Sequence, residues 1–218
     1  MTLFRLDSSI RTEGSVTRQV ADTLVSSWLG KHPGDTVVRR DLGASPLPAD
    51  VWPVAATAGY TPEDQRSEQQ RSAQALAATL ADELIGADAA VIGAPLYNFG
   101  LSQHLKTWID LLITDPRFSP GTTPLAGRPL TLVLARGGGY GAGTPRAGWD
   151  HATPYLLQIF RDVFGTDVTL VEAELTLADV NPAMADLRDL AATNLANAHE
   201  KAAETGRAHA ELVAAAAA

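Results

Sequence analysis

The residues best suited to holding a ligand lie in the segment 95–100, directly after a short apolar run. Asn98 offers an amide that can hydrogen-bond the edge of a heterocycle, and its neighbours Tyr97 and Phe99 offer aromatic faces. These residue types suit a flat, conjugated ligand. Aromatic residues packed in the core, with asparagine turning the chain, would give the same pattern, so the segment alone leaves both interpretations open.

A second candidate segment combines hydroxyls with a predicted helix start. Ser9, Ser15, Val16 and Thr17 place Ser and Thr side chains beside backbone N–H groups that a first helical turn leaves free, which is an arrangement that binds anions. The segment therefore predicts a phosphate site. The alternative is that Ser15 simply caps the helix.

A third candidate segment is rich in glycine. Ala135, Arg136, Gly137 and Gly138 follow an apolar run, and glycine lets a ligand approach the backbone closely. Tyr140 can lie over a ring or point to solvent. Arg136 can bind a ligand or pair with an acidic residue.

Several other kinds of chemistry lack the residues that they need. The chain has no cysteine, no P-loop lysine motif, no G-x-G-x-x-G and no G-x-S-x-G. The five histidines are scattered singly, so no metal site is expected. His151, close to the glycine segment, is a candidate substrate contact. The other four are expected at the surface: His32, His104, His199 and His209.

Size and charge limit the possible roles further. The 218 residues fit one domain, and no apolar stretch is long enough to span a membrane, so we expect a soluble protein. A formal charge of -8 argues against nucleic-acid partners. The absence of cysteine fits a cytoplasmic location.

Strands and helices alternate along the chain. Apolar runs predict five strands, at residues 2–6, 35–41, 89–94, 129–135 and 168–173. Helical spacing predicts helices at residues 15–29, 63–85, 102–113 and 149–164 and from 182 onward, with a proline-rich loop before the second of them. This order indicates a parallel sheet with helices on both faces, and ligand loops at its carboxyl edge.

The carboxyl-terminal helix has an unusual composition. Residues 191–218 are rich in alanine and offer little to bury beyond Leu195 and Leu212. We expect its last residues to fray.

With these segments in order, the chain resembles the family of flavin-dependent NAD(P)H:quinone oxidoreductases and azoreductases. Ser8-Ser9-Ile10 with Ser15-Val16-Thr17 is similar to the family's FMN-phosphate loop. Ala94-Pro95-Leu96-Tyr97-Asn98-Phe99 is similar to its A-P-M-Y-N-F loop, and Ala135-Arg136-Gly137-Gly138 to its S-R-G-G segment. Asp150 with Pro154-Tyr155-Leu156 extends the resemblance through most of the chain.

The resemblance implies an α/β, flavodoxin-like doubly wound five-stranded parallel sheet, spanning residues 1–218 as a single FMN-binding domain. It implies NADH or NADPH as donor and ping-pong transfer of two electrons to a quinone, azo or related aromatic acceptor. A homodimer is implied too, with the Trp108 helix in the interface. The implied cofactor-binding residues are Ser9, Ser15, Val16, Thr17, Pro95, Leu96, Tyr97, Asn98, Phe99, Ala135, Arg136, Gly137 and Gly138. The implied substrate contacts are Phe118, Tyr140, His151 and Asp162.

The chain departs from the family pattern at several positions. Leu96 stands where methionine is common, and Thr17 and Ala135 stand where serine is usual, yet all three permit backbone contacts to FMN. Arg161 and Asp162 place two charges where the family has an apolar stretch. Two alternatives follow: a dedicated biosynthetic flavin reductase or tailoring enzyme with a specialised substrate, and a non-catalytic FMN electron carrier.

Overall fold

The five predicted strands form one sheet. A computed structural model describes residues 1–119 and 121–217. The strands are β1 (Thr2–Asp7), β2 (Thr36–Asp41), β3 (Ala89–Pro95), β4 (Pro129–Ala135) and β5 (Asp167–Ala173). All neighbours are parallel, in the order β2-β1-β3-β4-β5. The predicted flavodoxin-like α/β fold is therefore confirmed.

Helices cover both faces of the sheet. They are α1 (Val16–Lys31), α2 (Val51–Ala58), α3 (Glu68–Ile85), α4 (Gln103–Leu112), α5 (Thr153–Leu157), which continues as a π-helix over Gln158–Val163, and α6 (Arg188–Ala217). One core lies between the sheet and α2 to α5, and a second lies between the sheet and the pair α1 and α6. Within the described residues, no helix combines the length and the apolar character that crossing a membrane requires.

The strand register places the candidate ligand segments at one edge. Asp7 is paired with Gly93, and Pro95 is paired with Ala135, so β1, β3 and β4 end at nearly the same level. Central strands β3 and β4 are buried along their whole length, as their continuous apolar sequences predict. The loops that leave their carboxyl ends open on the same side of the molecule.

Two helix starts and one whole helix differ from the prediction. The proline-rich loop contains α2, whose Pro53 lies in the first turn, where a backbone N–H is not needed. Helix α3 begins at Glu68 rather than near residue 63 because Ser67 and Gln70 form a capping box. Helix α5 begins at Thr153 rather than at Trp149.

Two helical surfaces are buried inside the chain itself. The apolar face of α4, including Trp108, packs in the core of the chain itself. The alanine face of α6 packs on α1, and a Cβ at Gly206 would overlap the backbone oxygen of Leu24. Small side chains therefore let these two helices approach closely. The buried face of α6 consists largely of such residues and contains few large apolar ones.

Candidate functional site

The three candidate segments meet in a cavity of about 190 Å³ at the carboxyl edge of the sheet. Nine of the thirteen implied cofactor residues line it: Ser9, Ser15, Val16, Thr17, Pro95, Leu96, Tyr97, Ala135 and Gly137. Three further lining residues were not predicted: Arg11, Thr176 and Leu177. The convergence of distant turns on one site is thus what the structure shows.

The start of α1 presents unsatisfied donors to this cavity. Ser15 is the N-cap residue, but its hydroxyl makes no hydrogen bond to the helix backbone and instead lies 3.2 Å from the Thr17 hydroxyl. Because the first four N–H groups of a helix have no partner within it, those of Val16 and Thr17 are available to an anion. The Arg11 side chain adds positive charge at the same place.

An ion network fixes the loop that carries these donors. Arg18 binds both carboxylate oxygens of Asp41 at 2.6 and 2.7 Å, and it also donates to the backbone oxygens of Ser9 and Arg11 at 3.1 and 3.0 Å. The Arg18 hydrogen bonds hold the pKa of Asp41 below its ordinary value, outweighing the opposing effect of burial. Arg18 and Asp41 therefore hold the backbone of this loop in place.

One carboxylate at the carboxyl end of β1 would by itself repel a phosphate. Asp7 is buried, and Arg5 donates to its two oxygens at 2.8 and 3.2 Å. Arg18 contributes a second positive charge 3.8 Å away. Because two guanidinium groups compensate this carboxylate, the cavity remains suitable for an anion.

The segment after β3 is a tight hairpin turn. Tyr97 and Gly100 exchange two backbone hydrogen bonds of 3.0 and 2.9 Å, and both residues between them have positive φ, 48° at Asn98 and 67° at Phe99. Positive φ is favourable at asparagine but costly at an aromatic residue, and such strain is often found where a ligand is held. The Phe99 ring packs edge-on against Trp149, with centroids 5.5 Å apart.

A loop after β5 closes the cavity opposite the serine segment. The carbonyls of Arg136, Gly137 and Gly138 accept hydrogen bonds from backbone N–H groups of residues 175–177. The Leu177 side chain then covers Gly137 so closely that a Cβ there would lie 2.7 Å from its Cδ1. A side chain at position 137 would therefore require the Leu177 side chain to move.

A larger cleft of about 800 Å³ adjoins the small cavity, and Tyr97 lines both. The Tyr97 hydroxyl lies 3.2 Å from that of Ser9, which joins the first two segments. The other residues of the cleft are Ile10, Asn98, Gly100, Leu101, Ser102, Gln103, His104, Lys106, His151 and Tyr155. His151 therefore lies where the prediction placed it, and His104 lies there as well.

Three implied substrate contacts do not line this cleft. Phe118 is only 1% exposed, packed against Phe164 in the core with ring centroids 4.8 Å apart. Asp162 is exposed on the π-helix, where it pairs with Arg161 at 2.7 Å. Tyr140 lines a separate acidic hollow and donates its backbone N–H to Glu174.

Arg136 has the structural role that the sequence left open. Its buried guanidinium binds Asp150, Thr153 and Glu172 at 2.7 to 2.9 Å. Burial raises the pKa of Asp150, but hydrogen bonds from Thr153 and the charge of Arg136 outweigh this effect and leave that pKa below its ordinary value. Arg136 thus joins the glycine loop to the start of α5 instead of pointing into the cavity.

The donor set of the small cavity fits a phosphate ester. Hydroxyls, free N–H groups and Arg11 converge there, and the loops beside it offer backbone groups and an aromatic turn to a ring system. No signal in the local sequence distinguished Thr176 or Leu177. They lie at the site because β5 pairs with β4, which places the loop after β5 beside the glycine segment. Arg11 lies inside the predicted phosphate loop and could have been found by its charge.

Comparison with known proteins gives a consistent family assignment. The sequence profile described as "Flavodoxin-like fold" matches residues 1–198. A protein of Streptomyces avermitilis named FMN-dependent NADH:quinone oxidoreductase is 38% identical over 216 residues, covering 98% of this chain and 99% of that protein. A protein of Frankia alni with the same name is 37% identical over 191 residues, which is 86% of this chain and 90% of that protein.

Solved structures agree with these relatives. An azoreductase from Bacillus anthracis superposes with a TM-score of 0.76 at 25% identity, covering 94% of this chain and 98% of that one. An FMN-dependent NADH-azoreductase of the same species, crystallised in complex with FMN, superposes with a TM-score of 0.72 at 18% identity, over 94% of this chain and 97% of that one. At 18% identity, the second of these structures shows that the two chains share a fold.

Proposed function

The chain belongs to the flavodoxin-like fold family, and from this premise we propose that it is an FMN-dependent NADH:quinone oxidoreductase that also accepts azo or related aromatic compounds. The balanced reaction takes NADH, a proton and a quinone to NAD⁺ and a hydroquinone. The observation that carries the proposal is the phosphate-binding cavity at the start of α1, open beside a cleft large enough for an aromatic ring.

The residues have distinct proposed roles. Ser9, Ser15 and Thr17, with the N–H groups of Val16 and Thr17, hold the phosphate, and Arg11 adds charge. Residues 95–99 flank the ring system, and Gly137 lets it approach the backbone. When bound there, FMN would supply the redox chemistry, namely acceptance of a hydride and transfer of two electrons. The protein therefore has to bind and orient the cofactor and to exclude competing reactions.

The arrangement supports a ping-pong order because one cleft adjoins the cofactor cavity, so donor and acceptor would use it in turn. The single domain and the homodimer that the resemblance implies also belong to this proposal, as does the cytoplasmic location that the absence of cysteine suggested. Arg161 and Asp162, whose charges motivated a specialised biosynthetic substrate, pair with each other and do not line the cleft. They therefore give no support to that alternative.

The test is an absorption spectrum followed by anaerobic reduction. We expect the purified protein to be yellow or to take up added FMN, to lose its visible absorbance when NADH is added, and to regain it with a quinone. Steady-state rates with varied NADH and quinone should give parallel double-reciprocal lines. A colourless protein that takes up no FMN would refute the proposal, and FMN binding without reduction by NADH would instead indicate an electron carrier.

A further inference from the structure

The larger cleft differs in charge from the rest of the molecule. The chain carries a formal charge of -8, yet the cleft lining contains Lys106, His104 and His151 and no Asp or Glu. Asp110 compensates the charge of Lys106, so what favours an anion here is the absence of a carboxylate from the lining together with the neutral donors. Its volume of about 800 Å³ lies in the usual range for small-molecule sites.

The two histidines supply the imidazole donors of this cleft, and Asn98 and Gln103 contribute amide donors beside them. The Lys106 ammonium is held by both oxygens of Asp110 at 2.5 and 2.7 Å, and the Ser102 hydroxyl already accepts from the backbone of Leu105. Within residues 1–119 and 121–217, neither the His104 nor the His151 side chain makes a hydrogen bond to the protein. An imidazole always offers at least one N–H and offers two when charged.

The remaining walls suit an aromatic ring. Ile10, Tyr97, Leu101 and Tyr155 contribute apolar or aromatic surface to the same cleft. A ligand that satisfies both kinds of wall has a flat apolar body and an oxygen-bearing group that accepts hydrogen bonds. Carboxylate, sulfonate and phenolate groups accept the strongest ones because the acceptor is charged.

We propose that this cleft selects aromatic acceptors that carry an anionic oxygen group, with His104 and His151 as the donors that determine this specificity. The inference rests on the proposed function in one respect, because it treats the selected ligand as the electron acceptor. Binding itself is independent of electron transfer and can be measured separately.

The first experiment compares two unreactive probes of nearly equal shape, naphthalene-2-sulfonate and the neutral naphthalene-2-sulfonamide, by calorimetric titration of the FMN-loaded protein. We expect the sulfonate to bind about tenfold more tightly, the effect of a hydrogen bond to a charged group. Replacing both residues, His104→Phe and His151→Phe, keeps ring shape but removes the nitrogen atoms. In that variant the ratio should fall to about one.

Two further variants serve as controls. His32→Phe makes the same change at the carboxyl end of α1, away from the cleft, and should keep the tenfold ratio. The pair His104→Gln and His151→Gln retains amide donors and should give an intermediate ratio, which covers the case in which the double Phe variant does not fold. Equal binding of the two probes to the unaltered protein, or a preference that survives the double replacement, would overturn the proposal.

The second experiment connects binding to the acceptor. The FMN-loaded protein, reduced with dithionite, is mixed with 1,4-naphthoquinone or its 2-sulfonate, so NADH is not involved. Relative to the unaltered protein, the double Phe variant should lose about tenfold in rate with the sulfonate and little with the parent quinone. Binding of ADP that requires the same histidines, without discrimination between the naphthalenes, would assign these donors to the nucleotide and overturn the proposal.

Discussion

Ser15 holds an N-cap position without performing a cap's usual task. Ser15 is 5% exposed, and among the described residues its hydroxyl pairs with that of Thr17 alone, while the backbone N–H groups of the first turn have no partner there. By contrast, Ser67 at the start of α3 accepts a hydrogen bond from the Gln70 N–H at 3.2 Å. Ser67 therefore caps its helix through its side chain, whereas the Ser15 side chain does not and is left for the phosphate role proposed above.

We predict that Ser15→Ala weakens FMN binding about tenfold, because a hydrogen bond to a charged phosphate contributes roughly 1.5–3 kcal/mol. The free energy of unfolding without FMN should fall by less than about 1 kcal/mol, since no cap hydrogen bond is lost. Fluorescence titration with FMN and urea denaturation of the FMN-free protein measure the two effects.

Ser67→Ala is the matched control, and we expect the opposite result from it. Loss of the capping box should lower the free energy of unfolding by about 1 kcal/mol, while FMN affinity stays unchanged. An FMN affinity of Ser15→Ala equal to that of the unaltered protein would contradict the phosphate role of this side chain.

Single residues were predictable where the function depends on backbone and local sequence. The serine segment and the Tyr97 turn could be recognised because their donors and turn geometry are local. The partner of Arg136 could not, because Glu172 is brought to it by strand pairing between β4 and β5. Phe118 was misassigned for a related reason, since burial against Phe164 depends on tertiary packing.

At the scale of elements, the contact between α1 and α6 gives a sharp prediction. Gly206→Ala should lower the free energy of unfolding by about 1–3 kcal/mol because its Cβ would overlap the backbone oxygen of Leu24 and lie 3.2 Å from the Ser27 Cβ. Urea denaturation measures this effect.

Gly30 offers the same substitution in open space. It lies in α1, and a Cβ added at this position would have no atom within 4 Å, so Gly30→Ala should raise stability by about 0.5–1 kcal/mol through helix propensity. If both substitutions stabilise the protein, the helices are farther apart than the structure has them.

The strands were easier to predict than the helices around them. Buried parallel strands appear as continuous apolar runs, so β3 and β4 were located to within a residue. Helix α2 was missed because Pro53 was taken to indicate a loop, although proline is tolerated in a first turn. The packing of α6 was missed because its buried face consists of alanine and glycine, which carry little hydrophobic signal.

For the whole molecule, shifted pKa values make stability depend on pH at a buried histidine and at several carboxylates that pair with arginines. His209, expected at the surface, is in fact 8% exposed, and burial lowers its pKa, opposed by the charge of Asp167. Because the unfolded chain binds this proton more readily, His209 contributes stability above pH 6.5 that is lost as pH falls below that value. Asp41 has a lowered pKa because of Arg18, and its contribution is lost below about pH 3.8.

We predict two steps of destabilisation on acidification, measured as the free energy of unfolding in urea between pH 7.5 and 3. His209→Gln should flatten the step that begins near pH 6.5 and leave the acid step in place. Asp41→Asn should reduce the acid step, to which Asp115 and Asp150 also contribute, and leave the step near pH 6.5 in place. A slope between pH 7.5 and 5.5 that is the same with and without His209 would show that this imidazole does not titrate with folding.

The contact between Leu177 and Gly137 has a consequence for engineering. The leucine comes from the loop after β5 and the glycine from the loop after β4, yet each limits the volume available to the other. If only one of the two positions is diversified, the unchanged residue at the other limits which side chains fit. Randomising the two codons jointly should recover combinations, such as a larger residue at 137 with a smaller one at 177, that one-at-a-time mutagenesis never reaches.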